Sequence, residues 1–116
     1  MVSGSQAIGL EKDGKLVAGV IYEGFNGFNV WMHVAAEPGR HWLTRDFLGA
    51  AFLYPFVQLN CNRVSGYVEA WNEDAKRFDE HLGFKQEAIL KGAASDGGDV
   101  ILYVMPREGC RYVPTK

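Results

Sequence analysis

The chain is poor in cysteine, with Cys61 and Cys110 the two in 116 residues and far apart in sequence. That excludes a disulfide-stapled scaffold and points to free thiols in a reducing cytoplasm. The opening residues lack a basic segment followed by an apolar run, so secretion is not expected. Charge of one sign is also missing, since 12 Lys and Arg stand against 14 Asp and Glu for a formal net charge of −2. The cations are scattered, and nucleic acid is excluded as a partner for want of a field to draw phosphate backbones. There is no long apolar run either. The longest charge-free stretch, 47–62, is shorter than the ~20 residues that span a bilayer and contains Pro55, Gln58 and Asn60, so no membrane span is expected. His and Cys nowhere take metal-ligand spacing, and no metal is expected. What is present is globular, 47% hydrophobic and 13% aromatic. This suits one domain over 1–116, with a core at about 6–105 and a tail over 106–116 that the sequence leaves undocked or docked.

The most legible stretch is 62–84. Val64, Gly66, Val68 and Ala70 alternate with Ser65, Tyr67 and Glu69, as in a strand with two different faces. Asn72 then fits as an N-cap, with Glu73 and Asp74 in the first turn where the helix dipole favours negative charge. Ala75, Phe78 and Leu82 form the buried stripe, and Glu73 and Arg77 are expected to pair at i,i+4. Gly83 ends the helix in a left-handed cap, and Phe84 folds back on it.

Ahead of this stretch, 6–10 and 16–22 flank Asp13-Gly14, a hairpin signal because both positions tolerate positive φ. A turn at Gly24, Asn26 and Gly27 precedes a third strand, with Val30, Met32 and Val34 on one face and Asn29, Trp31 and His33 on the other. A helix is expected from 43 or 44 to 59, capped by Thr44, with Pro55 forcing a kink or an early stop. Two strands joined by this helix are parallel if they share a sheet. Residues 85–93 and 100–105 make a closing hairpin about the turn at 95–98. The order is β-β-β-α-β-α-β-β, a mixed, largely antiparallel α/β (α+β) sheet with a central parallel β-α-β crossover and helices packed on it.

Asn72-x-x-Ala75, then Leu82-Gly83-Phe84 and Glu87, with a hairpin ending Leu102-Tyr103-Val104-Met105, resemble the GNAT superfamily of acyl-CoA-dependent N-acetyltransferases, in particular small bacterial and phage-encoded members. Asp13-Gly14-Lys15-x-Val17-Ala18-Gly19 is similar to that superfamily's early strands. The resemblance runs from about Ala7 to Met105 and implies acetyl-CoA as co-substrate and a small-molecule or peptide amine as acceptor. It implies a phosphate-holding run at Gly39-Arg40-His41-Trp42-Leu43-Thr44-Arg45, where Leu43 and Arg45 replace the expected small residues. It also implies a tyrosine acid seven residues after the asparagine, a proton donor that is missing because this chain has Asp79 there, and two helices ahead of the Asp13-Gly14 hairpin, which have no counterpart. The acceptor pocket is therefore expected to be open or completed by a second copy in a homodimer, for which Trp31, Trp42 and Tyr112 are surface candidates unless they are core residues.

The expected cofactor contacts are the backbone at Val34 and Ala35, then Arg40, His41, Trp42 and Arg45 at a helix N-terminus that offers free amides to phosphate, and Asn72 and Phe78. Each has a plain structural alternative: a strand residue, a solvated cation, a helix cap or a core aromatic. Glu69 and His33 are the candidate bases that take the amine's proton, with Glu69 preferred, and the alternatives are a solvated carboxylate and a packed imidazole. The expected function is acetyl transfer to an amine by direct attack. The alternative is a catalytically idle module that keeps the fold for CoA binding or protein interaction.

Overall fold

The structure is a computed structural model that describes residues 6–36 and 44–113. Its elements are β1 (Gln6–Lys12), β2 (Lys15–Glu23), β3 (Asn29–Ala36), α1 (Arg45–Leu53) with a π-helical turn at Tyr54–Gln58, β4 (Arg63–Glu69), α2 (Glu73–Leu82), β5 (Lys85–Leu90) and β6 (Val100–Pro106). They form one six-stranded sheet in the order β1-β2-β3-β4-β6-β5. Among the described residues only β3 and β4 pair in parallel, and the other neighbours are antiparallel.

Local chemistry sets the boundaries. Asp13 and Gly14 take φ of 55° and 76°, which lets a two-residue turn follow the twist of β1 and β2. Thr44 caps α1 by accepting from the Phe47 amide at 3.1 Å. The expected helix through 59 stops being α-helical at Leu53, because Pro55 brings no N–H and its ring crowds the preceding turn. The chain widens instead, and Leu59 N–H donates back to the Tyr54 carbonyl at 2.9 Å. In α2, Asn72 accepts from the Ala75 amide at 3.1 Å, and Gly83 closes the helix at φ 112°. The expected Glu73–Arg77 pair is replaced by two i,i+3 pairs, Lys76–Glu73 at 3.0 Å and Arg77–Asp74 at 2.9 Å. The strand expected over 85–93 ends at Leu90, where Gly92 at φ 71° and the Ala94–Gly98 backbone bond turn the chain toward β6.

The cross-strand partners Tyr22–Met32, Val30–Val64 and Gly66–Tyr103 put these residues on one face. Both helices cover it, since the Tyr22 hydroxyl donates to the Ala51 carbonyl of α1 and the Tyr103 hydroxyl donates to Glu80 of α2. Between them lie Phe52, Phe56, Leu82 and Met105, almost wholly buried. Each contributes about 1.5–3 kcal/mol through burial. The tail docks as far as Val113: Tyr112 stacks on Phe52 with ring centroids 5.1 Å apart, and Cys110 and Val113 are buried. Both cysteines are free and buried, and desolvation raises the thiol pKa of each. Among the described residues, no helix is long and apolar enough to cross a membrane and no His, Cys, Asp or Glu cluster has the makings of a metal site.

Candidate active site

The parallel ladder of β3 and β4 has three rungs, Asn29–Arg63, Val30–Val64 and Trp31–Ser65. Both strands run on past the last rung, β3 to Ala36 and β4 to Glu69, without pairing to each other. The result is a fork whose inner edges carry backbone groups with no partner strand across the gap. Its closed end is fastened by side chains. Ser65 Oγ donates to Asn29 Oδ1 at 2.5 Å, Arg63 Nε donates to Ser65 Oγ at 3.2 Å, and the Arg63 guanidinium grips both Glu87 oxygens at 2.9 and 2.6 Å. Glu87 is held below its ordinary pKa by that grip.

The fork has two unlike sides. On the helix-covered side, Gly66 is the first β4 residue past the last rung. A Cβ built there would lie 3.5 Å from the Met32 carbonyl oxygen and 3.9 Å from Asp79 Oδ2, so the glycine leaves clear a small space between the parting strands and α2. The Asp79 carboxyl is half-buried, and its pKa is pushed up to about 7, chiefly by desolvation and then by the Glu80 charge. On the opposite side, Trp31, His33 and Tyr67 form an aromatic group, with the His33 and Tyr67 rings 5.1 Å apart and the Trp31 and Tyr67 rings 6.0 Å apart, edge-on in both cases. No described helix covers this side, and Tyr67 is 51% exposed.

The structure brings some expected site residues to the fork and leaves others away from it. His33 stands on its open side two positions past the last rung, and Val34 follows on the helix side, half-buried. Ala35 belongs to the same free length of β3, with its backbone in register with Gly19 of β2. Glu69 ends β4, but its carboxylate accepts from Trp71 Nε1 at 2.6 Å, Ser95 Oγ at 2.8 Å and Ser95 N at 3.1 Å. These bonds lower its pKa, Ser95 contributing most, and tie it to the turn before β6. Asn72 is spent on the α2 cap, and Phe78 packs against the core. Arg45 is exposed in the first turn of α1. Arg40, His41 and Trp42 lie outside the described residues. Sequence reasoning noted Asp79 only as standing in the place of an absent tyrosine and did not bring its carboxyl to the fork. The signal was available: Ala75, Asp79 and Leu82 share helical spacing, so the carboxylate lies beside the apolar stripe rather than among the wet positions.

No protein-family model matches the chain, and no curated protein matches it. Solved structures do. A single-site variant of spermidine N-acetyltransferase SpeG from Vibrio cholerae superposes with a TM-score of 0.77 at 20% identity, covering 93% of this chain and 68% of its own. The spermidine/spermine N-acetyltransferase SpeG of the same organism with manganese ions gives 0.76 at 20% identity over 90% and 66%. A GNAT-family acetyltransferase from Bacillus anthracis gives 0.71 at 17% identity over 90% and 66%. The chain has the mixed α+β fold of the GNAT acetyltransferases.

Proposed function

We propose that this protein is an N-acetyltransferase that moves an acetyl group from acetyl-CoA to a small-molecule or peptide amine by direct attack. The fork carries the proposal. A parallel pair that parts after three rungs offers a narrow slot edged by unladdered backbone groups, suited to an elongated thioester with amide groups along it. The residues present fit such a co-substrate, because Gly66 keeps the inner end of the slot clear of side chain. The β3 backbone at Val34 and Ala35 would line it, and the α1 N-terminus with Arg45, together with Arg40, His41 and Trp42 before it, would hold the phosphates. Asn72 and Phe78 of the α2 side would complete the contacts to it.

Acetyl-CoA supplies the activated acyl group, and the chain's task is to position it and to manage protons. A neutral amine approaching from the open side would meet His33. The three hydrogen bonds that depress Glu69 make it the weaker base, which supports the order His33 before Glu69 and reverses the expectation from sequence. A second copy is proposed to complete the acceptor pocket, because Ile21, Phe28 and Tyr67 leave apolar surface exposed. The two free, buried thiols support a reducing cytoplasm as the setting.

The test combines calorimetry with acetyl-CoA and thiol release with a panel of amines that includes spermidine, the substrate named for the Vibrio structures. Binding with turnover on at least one amine is expected. Binding without turnover would favour the idle module, and absence of binding would remove the proposal.

A further inference from the structure

We infer that the acceptor is a primary amine carried on a neutral aromatic body, and that Tyr67 selects it. This inference rests on the acetyltransferase reading and names the substrate class for it. His33, the group an incoming amine meets, has apolar neighbours on three sides. Ile21 is its partner on β2, Trp31 precedes it on the same face of β3, and the Tyr67 ring lies 5.1 Å away across the gap. Tyr67 has Leu102 as its own partner on β6, so the apolar lining continues beyond the gap. Trp31 is seated by the turn after β2: a Cβ on Gly24 would come 2.9 Å from its Cδ1, and the glycine leaves room for the indole. The indole in turn meets Tyr67 edge-on at 6.0 Å. Tyr67 is thus held by rings on one side while 51% of it remains exposed, and a further ring can pack on it from the open side. A short alkyl arm then carries a nitrogen from a ring on Tyr67 to the neighbouring His33.

Charged groups at the margin of this face are engaged elsewhere or stand in water. Arg63 and Glu87 pair at 2.6 Å, Glu69 accepts from Trp71 and Ser95, and Glu23, the partner of Trp31 on β2, is exposed. Apolar surroundings disfavour an ammonium, and the attacking nitrogen has to be neutral, so a single basic nitrogen loses its charge more readily here than in water. A polyamine brings further ammonium groups, which this face can meet only with ring faces and the solvated Glu23. That cation–π contact is the competing use of Tyr67 and Trp31, and spermidine is the comparison that decides between them.

The test is kcat/KM by thiol release with phenethylamine, its saturated counterpart 2-cyclohexylethylamine, and spermidine, each referred to its neutral fraction. Wild type is expected to prefer phenethylamine over the saturated amine by about fivefold, the size of an aromatic pair beyond its buried area, and over spermidine by about tenfold or more. Tyr67→Ala should bring phenethylamine to within about twofold of the cyclohexyl amine, chiefly through KM, and Tyr67→Phe should keep the preference. A general loss of structure would lower both amines together and leave their ratio as it is in wild type. The wild-type comparison needs no variant. Preference for spermidine, equal use of the aromatic and saturated amines, or a Tyr67→Ala variant that retains the wild-type ratio would overturn the inference while leaving acetyl transfer standing. Absence of acetyl-CoA binding, or of turnover with every amine, would remove both.

Discussion

Burial of the Asp79 carboxyl gives stability an uncommon dependence on pH. A carboxyl whose pKa rises from 3.8 to about 7 on folding binds more protons in the native state than in the unfolded one between those values. Stability is therefore greatest below about pH 4 as far as this group is concerned, and is lost as pH climbs through about 7, the reverse of a salt-bridged carboxylate. D79N should raise stability at pH 8 by roughly 2–4 kcal/mol and change it little at about pH 3.5, below the unfolded pKa, read as a pH-dependent shift in the urea midpoint. An equal midpoint shift at both values would show that the carboxyl is not desolvated. Asn72→Ala should cost ~1 kcal/mol at either pH, because the lost bond to the Ala75 amide does not titrate; an unchanged midpoint would contradict the cap. These two residues also mark what sequence makes visible. Asn72 and Gly83 act through their own backbone neighbours, so type and position suffice to place them. Asp79 and Glu69 acquire their character from burial against the sheet and from Ser95, surroundings that exist only once the sheet and its turns are assembled.

At the level of elements, the alternation and capping signals located every strand and both helices, while the ends that depended on competing effects moved. Pro55 was legible as a disruption, but not its outcome, a π-helical turn rather than a kinked helix to 59, beside which Phe56 and Cys61 are buried. Likewise, sequence placed β3 and β4 side by side without revealing that they share only three rungs. The N-terminus of α1 is where an element-scale test applies. Double replacement Arg40→Ala and Arg45→Ala should weaken acetyl-CoA binding at low salt by about tenfold and flatten its salt dependence, since charge-assisted phosphate contacts are screened by ions. Calorimetry showing the same affinity and salt slope would move the phosphates elsewhere.

For the molecule as a whole, the strand order separates cleanly at the fork. β1, β2 and β3 form a meander from residues 6–36, and β4, β6 and β5 form a second three-stranded unit from residues 63–106. Among the described residues, every ladder within each unit is antiparallel, and the rungs at Asn29, Val30 and Trp31 are the only ladder joining them. Helix α1 bridges the units on the covered face, with the Tyr22 hydroxyl bonded to Ala51 and Phe52 packed against Phe84. The molecule is thus divisible along its sequence at the same place as in space. Cutting the backbone between Ala36 and Thr44 would give two pieces that keep their own strand pairings and recombine through a short seam and one greasy helix face. Co-expressed pieces should reassemble into a heterodimer detectable by co-purification, and replacing Ser65, whose hydroxyl fastens the seam to Asn29, should loosen that union more than it loosens the intact chain, where the tether supplies the local concentration.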